Sequence, residues 1–198
     1  MSDSFQDMTR VHLQVPIGTL EIQWNTHGKL IGIELFDLGQ RVLTSCDWFS
    51  FKNGRGFPEE VSKIIERVTK YFYSGEPIGR WSWDSLDAEK FTDFQSQVYQ
   101  AILKIPHGET RTYAWVAFQI GSPQASRAVG QALRRNPFPI LIPCHRVVGA
   151  NDLGGFMGAE QEGDPEVVLK KWLLDHEDSY LNPVFPFLSE SLALKSFV

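Results

Sequence analysis

The spacing of apolar residues changes once along this chain, and that change limits the folds open to it. Between Val11 and Leu35 three short runs, VHLQV, LEIQW and LIGIELF, are broken by Pro16-Ile17-Gly18-Thr19 and Asn25-Thr26-His27-Gly28. Short β-branched runs separated by tight turns predict an antiparallel meander. From Pro58 the period becomes 3.6: Val61, Ile64, Ile65, Val68 and Phe72 recur on one helical face until Ser74-Gly75 ends it. The fold class is therefore α+β. A small N-terminal α/β domain, an antiparallel sheet plus a helix, is placed at residues 1–85. A mostly helical C-terminal domain is placed at 86–198, with the Trp-bearing stretch 75–90 as the connection.

In the second half, Thr92-Asp93-Phe94-Gln95 fits a capping box, and Phe94, Val98, Ala101, Ile102 and Ile105 follow on one face before Pro106 and Gly108. Tyr113 to Ile120 reads as a short helix. Gly121-Ser122-Pro123 then supplies a turn, an N-cap and a proline at the first helical position, opening a helix to about Arg135. Two short helices about a Gly-containing turn predict a helix-turn-helix. At 100° per residue, Ala125, Ala128, Val129, Ala132 and Leu133 share one side of the second helix, and Arg127, Gly130, Gln131 and Arg134 share the other. Small residues beside Arg127 (Ser126, Ala128, Gly130) let such a helix approach a grooved polyanion closely. An ordinary amphipathic helix with solvated arginines has the same pattern.

Charge separates the two readings only in part. The 198 residues carry a net −5, yet residues 101–150 hold six Arg or Lys against one acid, +5, leaving −10 elsewhere. Such asymmetry marks a local anionic partner. No apolar stretch reaches the roughly 18 residues of a membrane span, and the polar start MSDSFQDMTR lacks the form of a signal peptide. A protein of the cytoplasm, or of the nucleus in a eukaryote, is expected. Two cysteines, Cys46 and Cys144, form no CxxC pair, so sulfur chemistry falls to a single thiol.

Cys144 follows the apolar run Ile140-Leu141-Ile142, read as a strand-like segment, and precedes His145 and Arg146. A buried inert thiol fits that position. So does a nucleophile whose thiolate is stabilised by neighbouring cations. Adjacent side chains of an extended segment diverge, so His145 needs a bend or a water to serve the sulfur. Glu177, at the end of a helical stretch from Val167, is a candidate to orient and charge His145 in a Cys-His-Glu relay. These residues alone also suit a cysteine hydrolase.

The segment from FTDFQSQVYQAILKIPHGETRTYAWVAFQIGSPQASRAVGQALRRNPFPILIPCHRVV to KKWLLDHE resembles the O6-alkylguanine-DNA alkyltransferases. PIGTL and YFYSGEP resemble that family's first domain, so nearly the whole chain is covered. The resemblance implies that Cys144 accepts the alkyl group from O6 of guanine, and from O4 of thymine, in single-turnover DNA repair. It implies that His145 deprotonates the thiol through a water and that Glu177 completes the relay. Arg127 is matched to an arginine that enters through the minor groove and fills the space of an everted nucleotide, with Ala125, Ser126, Ala128, Gly130, Gln131 and Arg134 around it on the DNA. Tyr113 is matched to a tyrosine that helps turn the nucleotide and donates toward guanine N3. Asn136 is matched to an asparagine tying the helix-turn-helix to the active-site segment. Val147, Phe156 and Met157 are matched to the substrate pocket, with the carbonyls of Cys144 and Val147 reading the guanine amino group. No metal or nucleotide cofactor is implied. The partner implied is double-stranded DNA containing O6-alkylguanine, met by a protein that is monomeric without DNA.

Two features depart from the family pattern. Gly155-Phe156-Met157-Gly158-Ala159 replaces Gly-Tyr-x-Gly-Gly, and an acidic insertion, Glu160 to Glu166, precedes the final helix. Cys46 receives no role. A non-catalytic alkyltransferase-like lesion binder is the alternative, but those proteins lack the reactive cysteine. A regulator reading the major groove is a second alternative and would need base-reading side chains where small residues stand here.

Overall fold

The computed structural model describes residues 9–38, 57–159, 161 and 163–182. Cys46 lies outside them, as do Glu160 and Glu162 of the acidic insertion. Three antiparallel strands, β1 (Thr9–Val15), β2 (Gly18–Trp24) and β3 (Leu30–Phe36), pair in the order β1-β2-β3. Their register sets Leu13 opposite Leu20 and Leu20 opposite Leu35, and likewise Val11, Ile22 and Ile33 in line. Those rows make one apolar face. The other face carries His12, Gln14, Thr19 and Glu21, as a period of two requires.

Helix α1 (Glu59–Ser74) buries Val61, Ile64, Ile65, Val68, Tyr71 and Phe72. Gly75 ends it at φ 74°, and a Cβ there would come within 2.9 Å of Tyr180. The glycine thus serves both the left-handed cap and a close approach to the C-terminal helix. Two 3-10 turns follow, Trp83–Ser85 and Ala88–Lys90, and the Asp87 N–H donates to the Leu30 carbonyl at 2.7 Å. The connection is therefore packed against β3. A single apolar core runs on from the sheet through these turns into the helical half.

Helix α2 (Asp93–Ile102) opens with the expected reciprocal capping box of Thr92 and Gln95. It stops at Ile102, earlier than the apolar spacing suggested, because Lys104 and Ile105 close i→i+3 bonds to Ala101 and Ile102. Helices α3 (Tyr113–Gln119) and α4 (Ser126–Arg134) form the helix-turn-helix. Here the sequence reading needs correction: Pro123 does not open α4. The Ala125 N–H bonds to the Ser122 carbonyl at 2.8 Å, closing a separate turn, and the helix begins only at Ser126. Ala128 is exposed and not on the core side, because the buried stripe of α4 is as narrow as Val129, Ala132 and Leu133. Val129, Ala132 and Leu133 hold the helix down, and the Tyr99 hydroxyl donates to the Ala132 carbonyl at 2.9 Å.

The expected strand-like segment at Ile140–Ile142 is a tight turn instead. Pro139 and Pro143 withhold ladder N–H groups on either side, and the Ile142 N–H closes back on the Phe138 carbonyl. Cys144–Arg146 then makes one 3-10 turn. Strands of two residues, β4 (Arg111–Thr112) and β5 (Val147–Val148), pair in parallel. The last helix, α5 (Pro165–Leu181), is longer at both ends than the sequence indicated, so Glu166 belongs to its first turn, where the helix dipole favours an acid. Among the described residues no helix is long and apolar enough to cross a membrane.

Candidate active site

Cys144 sits where the Phe138–Ile142 turn meets the 3-10 turn, on the wall of a cavity of about 760 Å³. Its exposure is 5%. Ile140, almost wholly buried, adopts φ 74°, a left-handed conformation costly for a β-branched residue. Asn136 holds the turn in place. Its amide donates to the Ile142 carbonyl at 2.9 Å and to the Cys144 sulfur at 3.2 Å, while its oxygen accepts from the Phe138 N–H at 3.0 Å.

The residue after the sulfur belongs to a relay. His145 Nε2 and Glu177 Oε1 are 2.7 Å apart, and both side chains are buried. The ionised carboxylate only accepts, so Nε2 carries the proton and Nδ1 keeps its lone pair. Nδ1 is buried with no hydrogen-bond partner among the described residues. Burial pushes the His145 ring below its ordinary value, more than Glu177 draws it back up, so the imidazole is a neutral base. Burial acts upward on Glu177, yet the hydrogen bonds from His145 and Arg146, with the Arg146 charge, outweigh it and hold the carboxyl far below the usual range.

Glu177 has more partners than the sequence disclosed. Arg146 grips it with Nε to Oε2 and Nη2 to Oε1, both at 2.9 Å. The Gly108 N–H reaches Oε2 at 2.8 Å, and the Tyr71 hydroxyl donates to Oε1 at 3.0 Å. Arg146 Nη1 also donates to the Ile105 carbonyl at 2.9 Å, and Nη2 lies 3.3 Å from His107 Nδ1. A charge buried this deeply persists only with such a full set of donors.

The thiol itself departs from the expectation of a standing thiolate. Burial raises Cys144 above its ordinary value, opposed by the Asn136 hydrogen bond and the charge of Lys170. The arginines of α4 line the same cavity but are not among the groups that shift the thiol. A neutral thiol beside a neutral histidine must hand its proton over during reaction. Lys170, fully buried, donates to the carbonyls of Val147 at 2.7 Å and Gly155 at 3.2 Å, and also to that of Leu153. Burial lowers its ammonium to about 8.

The cavity brings together most of the expected residues: Tyr113, Ser126, Arg127, Gly130, Gln131 and Arg134 on the helix-turn-helix side, Phe156 and Met157 on the loop side. Val167 joins them unannounced. Ala125, Ala128 and the Val147 side chain do not line it; Ala128 lies on the outer face and Val147 in the core. The Tyr113 hydroxyl donates to the Gly155 carbonyl at 3.2 Å, and burial first, then Cys144, raises it to about 12. Gly154 makes this possible, since a Cβ there would fall 2.9 Å from the tyrosine oxygen. The Phe156–Ala159 loop closes by reciprocal backbone bonds of 3.0 and 2.9 Å, with Met157 at φ 47° and Gly158 at φ 100°.

Over 157 residues the chain is 48% identical to the constitutive methylated-DNA–protein-cysteine methyltransferase of Bacillus subtilis (strain 168), spanning 76% of this chain and 89% of that one. It belongs to the methylated-DNA–protein-cysteine methyltransferase family. Residues 93–179 match the family model described as 6-O-methylguanine DNA methyltransferase, DNA binding domain. The methyltransferase of Methanosarcina barkeri is 36% identical over 169 residues, 85% of this chain and 96% of that one. The Mycobacterium tuberculosis O6-methylguanine methyltransferase superposes with a TM-score of 0.66 at 30% identity, covering 87% of this chain and 94% of that one. The same organism's OGT in complex with DNA gives 0.63 at 30% identity, covering 87% and 93%. For a methyltransferase of this family, the sequence missed Tyr71, His107 and Lys170 as parts of the site. Only the mixed signal of polar residues at positions facing the core could have flagged them.

Proposed function

We propose that this protein repairs alkylated DNA by direct reversal, Cys144 taking the alkyl group from O6 of guanine, and from O4 of thymine, in a duplex. The observation that carries the reading is the cavity-wall sulfur followed in sequence by a neutral His145 hydrogen-bonded to the ionised Glu177, with the cationic face of α4 lining the same cavity. Family membership supports the same activity.

In this reading the duplex lies along the outer face of α4. Arg127, exposed beside small neighbours, takes the place of the everted nucleotide, whose unstacking costs a few kcal/mol. Inside the cavity His145 Nδ1 accepts the thiol proton through a water. The sulfur forms a bond to the alkyl carbon as the carbon–O6 bond breaks, and the bonding pair leaves with the guanine. Tyr113, protonated at neutral pH, gives up its bond to Gly155 and donates toward guanine N3, offsetting the charge that develops. The proton on His145 restores the balance through solvent. The thioether has no return path, so each molecule acts once.

The Val147 carbonyl, assigned to the guanine amino group by resemblance, already accepts from Lys170. Residues 1–85 and 86–198 act as two domains in this reading, the first bracing the second through their shared core. The protein meets DNA as a monomer. A non-catalytic lesion binder is disfavoured because the thiol and its relay are both present.

Incubation with a duplex bearing O6-methylguanine is expected to add one methyl group to the peptide containing Cys144, read by mass spectrometry. An unmodified Cys144 on protein that has bound the duplex would overturn the reading.

A further inference from the structure

Tyr71 belongs to α1, in the half of the chain that carries no part of the reacting constellation, yet its hydroxyl ends on the carboxylate of the relay. It is fully buried and lies 3.0 Å from Glu177 Oε1, the same oxygen that His145 Nε2 meets at 2.7 Å. We propose that Tyr71 is a positioning residue for alkyl transfer: it fixes the Glu177 carboxylate toward His145 and, by drawing charge off Oε1, sets how readily His145 takes up a proton. The inference rests on the alkyl-transfer reading above.

Three observations carry it. First, the hydroxyl is a donor here and nothing else. Burial, then the charge of Glu177, pushes its ionisation well above the ordinary tyrosine value. Second, the ring is fixed. It meets Phe72, His107 and His176 edge to face, and its own carbonyl lies 2.6 Å from His176 Nε2. A hydroxyl on a ring so held points one way. Third, Oε1 is shared among His145, Tyr71 and Arg146 Nη2, whereas Oε2 is held by Arg146 Nε and the Gly108 N–H. Arg146 spans both oxygens and does not choose between them. Tyr71 donates to Oε1 alone.

Among the described residues, the charged and titratable groups facing Glu177 are His145 and Arg146 from the 3-10 turn, His107 from the loop after α2, with Nδ1 at 3.7 Å from Oε1, and Tyr71 from α1, while His145 itself also feels the charges of Arg146 and of Lys170 from α5. Removing the hydroxyl leaves Oε1 with more charge for the imidazolium. His145 then holds a proton to higher pH, and the acid limb of the transfer rate moves up with it.

The test is Tyr71→Phe, which keeps the ring and its edge contacts. Transfer from free O6-benzylguanine to Cys144 is followed under single-turnover conditions from pH 5 to 9, and the His145 ring is titrated by NMR. Wild-type transfer on the methylated duplex, read by mass, first checks the alkyl-transfer reading separately. The expected result is an upward move of about half a pH unit or more in both the rate midpoint and the His145 titration, with a folded protein whose melting temperature falls by several degrees, the cost of one donor lost to a buried carboxylate. Midpoints that stay in place overturn the inference, whether or not the plateau rate falls, because loosened packing alone lowers a plateau without moving a limb. Tyr71→Leu, which removes ring and hydroxyl together, is expected to move the midpoints the same way, and failure to do so also overturns it.

Discussion

The ammonium of Lys170 lies 5.9 Å from the centre of the Tyr113 ring, so α5 holds a cation against the tyrosine assigned to the leaving group. The same ammonium ties together the carbonyls of Val147, Leu153 and Gly155. Lys170 thus fixes β5, the loop that walls the cavity, and the tyrosine ring at once. A cation over an aromatic face contributes on the order of 1 kcal/mol, less than the charge-assisted bonds to the carbonyls.

Lys170→Met keeps most of the stem and removes the charge. Buried carbonyls lose their donor, and the expected loss of stability is about 2–4 kcal/mol by urea unfolding. Cys144 also loses a cation that favours its thiolate, so alkylation by iodoacetamide at pH 8 is expected to slow several-fold in the folded variant. A variant as stable and as reactive as wild type would show the buried ammonium to be incidental.

What could be read in advance was whatever rests on local periodicity. The sheet register, the buried face of α1 and the Thr92–Gln95 box each follow from a few neighbouring residues. The start of α4 did not, because Ser122-Pro123 satisfies the rule for a helix start while the Ala125–Ser122 bond closes a turn of its own. Lys170 and Lys171 are indistinguishable in sequence. One is buried under three carbonyls from distant segments, and the other pairs with Asp175 in solvent. The relay was half visible: His145 and Glu177 could be paired by resemblance, but Tyr71 and His107 reach Glu177 only through the packing of α1 and the Ile105–Gly108 turn on α5.

Acid should lower the stability of the protein over two separate pH ranges. His145 and His107 are both held below the ordinary histidine value, chiefly by burial. As pH falls below about 6.5 the unfolded chain binds protons at these positions that the folded chain does not, so stability falls. Glu177, held below the carboxylate range, contributes in full above about pH 4.3 and is lost progressively below it. Urea unfolding between pH 7 and 5 is expected to be shallower in His107→Phe by up to about 1.4 kcal/mol per pH unit, the effect of one proton. An unchanged slope would mean that His107 titrates alike in both states.

Arg127 is exposed at the rim and makes no contact with the relay, so its assigned work is on the duplex. Arg127→Ala is expected to slow transfer from O6-methylguanine in duplex DNA at least tenfold, the equivalent of about 1.4 kcal/mol. Transfer from free O6-benzylguanine should stay within about twofold of wild type, and the melting temperature should not move. Equal losses on both substrates would place Arg127 in the chemistry and not in the extrusion of the base.

Met157, at the loop position that the family pattern leaves open, sits at φ 47°, in a two-residue turn with Gly158 where both central positions are left-handed. A side chain there costs roughly 1–2 kcal/mol, and glycine gives back up to about 1 kcal/mol through the entropy of the unfolded chain. Met157→Gly is therefore expected to raise stability by up to about 1 kcal/mol in urea. The same change removes a side chain from the cavity wall beside Phe156, so the rate ratio of O6-benzylguanine to O6-methylguanine should rise several-fold. A less stable variant with an unchanged ratio would mean that Met157 packs on the protein and takes no part in selecting the alkyl group.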